Sequence, residues 1–128
     1  MIYETENFKE STDPKAVCSC CGKGGLSIPI LILLEMVKMH HGGKAVILTS
    51  GARCEAHNKR EGGAKRSEHV ITEDEPLSDA VDFYVKDVSV QDLYMYLKGL
   101  PFANLLGIGK YKGRVHLDTR GYAARWVG

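Results

Sequence analysis

Two segments of the chain alternate between apolar and polar residues, a pattern typical of strands in a sheet with one buried face. In SDAVDFYV the two valines and the phenylalanine share one face, because successive side chains of a strand point to opposite sides. In RVHLDTR the same alternation places Arg114, His116, Asp118 and Arg120 together. Each strand is therefore expected to pack on helices through one face and to present polar chemistry on the other.

Two longer segments carry the apolar spacing and the end signals of helices. SIPILILLEMVKMHHGG begins with Ser27 as its N-cap, has proline in its first turn and ends at two glycines. SVQDLYMYLKGL begins with Ser89, and Asp92 three residues later completes a capping box. AVILTS adds a strand, and NLLGIGKY is joined to RVHLDTR by a hairpin. This order of elements predicts an α+β fold with helices packed on a mainly antiparallel sheet.

The length of 128 residues suits a single domain. Residues 1–25 are polar and rich in turn-forming residues, so we interpret them as a cysteine-containing N-terminal arm that precedes a domain over residues 26–128. The apolar run at residues 28–34 is much shorter than the ~20 residues that span a bilayer, and no signal segment opens the chain. We therefore expect a monomer that is made in the cytoplasm and has no membrane partner.

The cysteines of the chain are Cys18, Cys20, Cys21 and Cys54. In a chain without an export signal, a reduced thiol cluster or a metal site is favoured over a disulfide framework. Their spacing differs from that of zinc fingers, so a second metal site, redox pairing and simple burial all stay open. A nucleic-acid module built on these cysteines and on the basic residues 59–66 is a weaker interpretation, because glutamates interrupt the basic run and the net charge is only +1. We expect no nucleic-acid partner.

Three residues have the chemistry of a metal site. His69 ends the glycine-rich segment TSGARCEAHNKREGGAKRSEH, and Asp82 interrupts an apolar strand, where an unpaired buried carboxylate would be costly. Together with His116 they make a set of three ligands that leaves the fourth position of a zinc ion open for water, as in catalytic zinc sites. An ion pair between Asp82 and a nearby arginine is the alternative interpretation.

The motifs of these segments resemble a known family. TSGARCEAHNKREGGAKRSEH, SDAVDF and GIGKYKGRVHLDTRGYAARW follow one another in the order S-G-x-R, H-N, G-G, S-x-H, G-x-A-x-D, V-H-x-D and R-W. This order is similar to that of the D-alanyl-D-alanine carboxypeptidase and L-alanyl-D-glutamate endopeptidase family of zinc peptidases, which is related to the hedgehog signalling domain. The likeness covers residues 45–126 and is greatest to small phage-type members that act as cell-wall lysins.

The resemblance implies roles for particular residues. His69, Asp82 and His116 match the zinc ligands, Arg53 matches the arginine that holds a substrate carboxylate or carbonyl, and Ser67 matches a serine beside the first ligand. It implies a zinc peptidase that cuts stem peptides of bacterial peptidoglycan, at D-Ala-D-Ala or at L-Ala-D-Glu. A lysin without a signal peptide would act on the wall after a separate protein has permeabilised the membrane.

The chain departs from the family pattern in two places. Twelve residues separate His69 from Asp82, more than is usual in the family, and the acidic insertion ITEDEPLS leaves Asp74 or Asp79 open as the ligand. Several relatives carry an acid where this chain has Gly113. Asp118 is the replacement candidate, either as general base or as the partner that orients a histidine ligand. The absent acid leaves a second hypothesis, a non-catalytic zinc-containing module that binds the cell wall or another ligand.

Overall fold

A computed structural model of the chain describes residues 5–8, 24–53, 68–72 and 77–128. The four cysteines, Ser67 and Asp74 lie outside the described residues. Over the described ranges the elements in chain order are helix α1 (Ile28–His40), strand β1 (Val46–Ser50), strand β2 (Ala80–Val85), helix α2 (Val90–Lys98), a 3-10 turn (Ala103–Leu105), strand β3 (Gly107–Lys110), strand β4 (Val115–Asp118) and strand β5 (Ala124–Val127).

These strands form one sheet with the order β1-β2-β4-β3-β5. The β1–β2, β2–β4 and β3–β4 pairs are antiparallel, and β3 pairs with β5 in parallel. The predicted α+β fold with a mainly antiparallel sheet is confirmed. The sequence did not predict β5, a short strand of partly exposed residues without apolar alternation.

Both helices pack on the face of the sheet that the alternation predicts to be apolar. The core joins residues of both helices to the inward-facing residues of the sheet, which are Leu48, Val81, Phe83, Val85, Ile108, Val115 and Leu117. Phe83 is fully buried among them, and truncation of such a side chain to alanine typically costs about 3–5 kcal/mol. The core therefore fixes which face of β2 and β4 is left for Asp82 and His116.

The two helices begin differently. In α2 the Ser89 hydroxyl accepts a hydrogen bond of 3.0 Å from the backbone N–H of Asp92, which confirms the predicted cap. In α1 the side chain of Ser27 makes no capping bond, and its buried hydroxyl has no hydrogen-bond partner among the described residues. Ser27 is therefore the N-cap residue of α1, as predicted, but without a hydrogen bond from its hydroxyl. Backbone pairing holds this residue in place: Ser27 N–H donates to the carbonyl of Ser78, and Ser78 N–H donates to the carbonyl of Gly25.

Part of the predicted N-terminal arm packs against α1. The backbone N–H and the side-chain amide of Asn7 donate to the two carboxylate oxygens of Glu35, at 2.9 and 2.8 Å. Phe8 is buried in the same core as the helix. The arm therefore contributes to the core at these residues, while the boundary at residue 25 stays a prediction. Neither α1 nor α2 has the length and apolar character needed to cross a bilayer.

Candidate metal centre

The sheet brings His69, Asp82 and His116 together from three distant parts of the chain. Asp82 lies in the middle of β2, and its register partner on β4 is His116. His69 is positioned by backbone pairing beyond the end of β1, where Arg53 N–H donates to the His69 carbonyl at 2.9 Å and Ile71 N–H donates to the Arg53 carbonyl at 2.7 Å. All three proposed ligands are buried.

One atom from each residue forms a small triangle. His69 Nε2 lies 3.2 Å from Asp82 Oδ1 and 3.3 Å from His116 Nδ1, and His116 Nδ1 lies 2.9 Å from Asp82 Oδ1. Four ligands arranged tetrahedrally around zinc at bond lengths of about 2.0–2.1 Å lie about 3.3–3.4 Å from one another. The triangle therefore has nearly the size that three zinc ligands require.

The remaining ring nitrogens fix how the two imidazoles face the triangle. His69 Nδ1 lies 2.7 Å from the Gly51 carbonyl, which can only accept, so this nitrogen carries the hydrogen. His116 Nε2 donates in the same way to the Asp118 carboxylate at 2.7 Å. When both imidazoles are neutral, two nitrogen lone pairs and a carboxylate oxygen converge, an arrangement that fits a cation.

Charge and burial act in opposite directions on the ligands. Burial alone would raise the pKa of the Asp82 carboxyl, but hydrogen bonds from His116 and His69 hold this pKa well below its usual range. Burial lowers the pKa of His116, yet its hydrogen bonds to Asp118 and Asp82 outweigh burial and raise the pKa above the usual 6.5. A proton on His116 Nδ1 and a metal ion are thus alternative occupants of the same position.

Asp118 lies behind the His116 ring, on the side away from Asp82. Its side chain is 0% exposed. Oδ1 accepts hydrogen bonds from Gly107 N–H and from the backbone and Nε of Arg120, while Oδ2 accepts from Arg120 Nη2 at 2.6 Å and from His116 Nε2. Burial would raise the pKa of Asp118, but the bonds from Arg120 and His116 hold it well below its usual range. Of the two roles that the sequence left open, this placement fits orientation of His116.

The second oxygen of Asp82 faces two arginines. Arg53 Nη2 lies 3.5 Å from Asp82 Oδ2, and Arg53 Nε donates to the Ser50 hydroxyl at 3.1 Å. Arg114 Nε lies 3.9 Å from the same Oδ2. Arg53 therefore lies beside the ligand triangle. The sequence placed Arg114 on the face of His116 without giving it a role, so alternation was the signal that could have marked it.

Aromatic residues form a support beside the histidines. The ring of Trp126, on β5, lies 5.1 Å from the ring of His116. Trp126 Nε1 donates to the Tyr111 hydroxyl at 2.7 Å, and the Arg114 guanidinium lies 4.4 Å above the Tyr111 ring. A Cβ at Gly109 would collide with the indole of Trp126, so glycine at this position permits the contact between β3 and the indole. Sequence reasoning missed this support because it depends on β5.

Among the described residues the group that could hold a metal ion consists of His69, Asp82 and His116. Asp79, the described alternative to Asp82, lies just before β2, and its carbonyl accepts a hydrogen bond from Thr119. Gly113 is exposed in the β3–β4 turn and brings no carboxylate to the site.

Comparison with protein families relates the chain to a known family. A family model described as Peptidase M15 matches residues 4–118. This range includes all three residues of the metal group and ends at Asp118, before β5. No curated protein and no solved structure matches the chain.

Proposed function

Because the chain belongs to the peptidase M15 family, we propose that it is a zinc peptidase that cuts the stem peptides of bacterial peptidoglycan. Members of the family depend on zinc, and the His69, Asp82 and His116 group has the donor set and size for that ion. The observation that carries the proposal is this buried triangle of ligand atoms. The bond would be D-Ala-D-Ala, as in a carboxypeptidase, or L-Ala-D-Glu, as in an endopeptidase.

Zinc, when bound, supplies a Lewis acid for the scissile carbonyl and lowers the pKa of a coordinated water toward about 7. Among the described residues, three would serve as ligands, which would leave the fourth position of a tetrahedral ion for water or substrate. Asp118 and the Gly51 carbonyl hold the two imidazoles in the tautomers that direct a lone pair at the metal. We assign Asp118 this orienting role, since both of its oxygens are already engaged.

Arg53 is the proposed substrate-binding residue. Its guanidinium lies beside Asp82 at the edge of the ligand triangle, and a planar guanidinium binds carboxylates through paired hydrogen bonds. Stem peptides contain and end in free carboxylates, which supports them as substrates. The order of the sequence motifs further supports a phage-type cell-wall lysin, which would reach the wall with the help of a separate membrane-permeabilising protein.

A second candidate function is a zinc-containing module that binds the cell wall without cutting it. The enclosure of Asp118 favours this alternative, because Asp118 was the carboxylate proposed to replace the acid absent at Gly113. Among the described residues, the two carboxylates hydrogen-bonded to the histidine ligands are Asp82 and Asp118, one a proposed ligand and the other enclosed. The two functions share the metal site and differ in turnover.

Digestion of purified peptidoglycan by the zinc-loaded protein, followed by mass spectrometry of the fragments, tests the proposal. We expect new amino termini at one of the two bonds, with none from chelator-treated protein until zinc is restored. His116→Ala should be inactive, and its thermal unfolding should be compared with that of the metal-free wild type to separate loss of metal from loss of fold. A zinc-loaded protein that binds stem peptides saturably and cuts none would establish the binding module instead.

A further inference from the structure

Arg114 presents a guanidinium beside the candidate metal centre. It directly precedes β4, and its Nε lies 3.9 Å from Asp82 Oδ2, at the outer limit of an ion pair. Its side chain is 44% exposed. Within the described part of the chain, the terminal nitrogens of Arg114 make no hydrogen bond, since its side-chain contacts are with Asp82 and with the ring of Tyr111. The two terminal nitrogens of the guanidinium are therefore available to a ligand.

Contacts with Tyr111 hold this guanidinium in position. Arg114 lies over Tyr111, and the Tyr111 hydroxyl accepts the hydrogen bond of Trp126 Nε1. The backbone of Arg114 also accepts a hydrogen bond of 2.9 Å from Tyr111 N–H, which closes the β3–β4 turn. An arginine already stacked on a fixed ring loses less conformational entropy when it binds a ligand. This arrangement is expected of a binding residue rather than of a freely moving surface arginine.

The charges around Asp82 favour an anionic ligand near Arg114. Oδ1 of Asp82 faces the two histidines, and Oδ2 is approached by Arg114 from the β4 side and by Arg53 from the β1 side. A zinc ion held by Asp82 and the two histidines would add two positive charges beside the same carboxylate. An exposed guanidinium such as that of Arg114 attracts carboxylates.

We propose that Arg114 is a specificity-determining residue that binds a carboxylate of the substrate on the β4 side of the metal centre. The proposal deepens the proposed function and rests on it for the identity of the ligand as a stem peptide. Two carboxylates of such a peptide have the required chemistry, the C-terminal carboxylate and the α-carboxylate of the D-glutamate residue. Arg114 recognises one of them, while Arg53 contacts the substrate from the opposite side.

The test compares three versions of one stem pentapeptide: the free acid, its C-terminal amide and its glutamate α-amide. Trp126 is the single tryptophan of the chain, so its fluorescence reports binding next to Tyr111 and Arg114. Zinc-loaded protein is mixed with each peptide in a stopped-flow instrument, the early amplitude gives the dissociation constant before turnover, and mass spectrometry of the same mixtures gives cleavage. The proteins are the wild type, Arg114→Gln, Arg114→Lys and Lys112→Gln.

The wild type is expected to bind the free acid at least about tenfold more tightly than one of the two amides, as for a charge-assisted bidentate contact. The amide that loses affinity identifies which carboxylate is bound. Arg114→Gln should abolish this preference, and Arg114→Lys, which keeps the charge without the fork, should weaken it. Lys112→Gln removes the same charge from an exposed position on the same turn and should keep the full preference.

An unchanged acid-to-amide ratio in Arg114→Gln overturns the inference, whether or not the protein cleaves the peptide. A preference that depends on Arg114 in a protein that cuts no peptide supports the inference and contradicts the proposed peptidase activity. A wild type that binds none of the three peptides overturns both. Zinc content and thermal unfolding of each variant establish that it is folded. If Arg114→Gln does not fold, the acid-to-amide ratio of Arg114→Lys is compared with that of the wild type instead.

Discussion

His116 donates its Nε2 hydrogen to Asp118 at 2.7 Å while its Nδ1 lies 2.9 Å from Asp82. The imidazole is thus held between two carboxylates with different surroundings. Asp82 Oδ1 also lies 3.2 Å from His69 Nε2, within the group that could hold a metal ion, whereas the Asp118 carboxylate is enclosed by Gly107 and Arg120. A hydrogen-bonded carboxylate behind a histidine fixes the tautomer and increases the basicity of the nitrogen that faces the metal.

Asp118→Asn tests this role directly. The change keeps the size of the side chain but removes the charge behind His116, so zinc affinity should fall by about 10–100-fold. Competition with a chromophoric chelator measures the change, and Asp79→Asn, the same substitution outside the ligand group, should leave zinc affinity unaltered. If Asp118→Asn retained wild-type zinc affinity and lost cleavage alone, Asp118 would be the general base after all.

Gly107→Ala should destabilise the fold at the same place. A Cβ at Gly107 would collide with the carboxylate of Asp118 and the guanidinium of Arg120, and overpacking of this kind typically costs about 1–3 kcal/mol. Gly113→Ala is the matched control, because a Cβ there meets no atom within 4 Å, and its effect should stay within about 0.5 kcal/mol. Urea unfolding of the metal-free proteins gives both free energies of unfolding, and equal values for the two variants would contradict the close packing at Gly107.

The two helix starts give a paired prediction. Ser89→Ala removes the hydroxyl that accepts from Asp92 and should lower the free energy of unfolding by about 1 kcal/mol. Ser27→Ala removes a buried hydroxyl that has no partner in the described part of the chain, so it should be neutral or stabilising, since no hydrogen bond is lost. Urea unfolding of both variants measures the difference, and a Ser27→Ala variant as unstable as Ser89→Ala would show that the Ser27 hydroxyl does make a capping bond to α1.

Local sequence patterns were sufficient to predict the faces of β2 and β4. A strand repeats every two residues, so the apolar and polar residues of AVDFYV and RVHLDTR determine which side chains face the core. The same alternation predicts that His116 and Asp118 share one face of β4, and the two side chains are hydrogen-bonded to each other. The cap at Ser89 was equally local, and the bond from Asp92 N–H to its hydroxyl was confirmed.

Long-range pairing could not be predicted in this way. Asp82 on β2 lies opposite His116 on β4. This pairing depends on strand order and register, which the residues of either strand alone do not encode. Arg120 follows Asp118 by only two residues, but the enclosure of the Asp118 carboxylate also requires Gly107 from β3. The position of Arg114 could not be predicted for the same reason, since the Tyr111 ring beneath it is hydrogen-bonded to Trp126, on a strand without apolar alternation.

Zinc binding should depend on pH through His116. Because its pKa is raised above 6.5, the metal-free protein keeps a proton on this imidazole at pH values where an ordinary histidine has lost it. Zinc must displace that proton, so apparent zinc affinity should rise by about tenfold per pH unit on going up from about pH 6. The rise should level off only after the pH has passed the raised pKa of His116, at which point no proton on this ring competes.

Competition titrations at a series of pH values, corrected for protonation of the chelator, measure this dependence. In Asp118→Asn the hydrogen bond and charge that raise the His116 pKa are weakened, so the plateau should begin at a lower pH even though the affinity on the plateau is smaller. A lower His116 pKa shifts the curve of zinc affinity along the pH axis, whereas a less basic ligand lowers the affinity on its plateau. Proton competition and ligand basicity can therefore be measured separately. An apparent affinity that is already independent of pH below 6.5 in the wild type would show that His116 is neutral there, contrary to its contacts with two carboxylates.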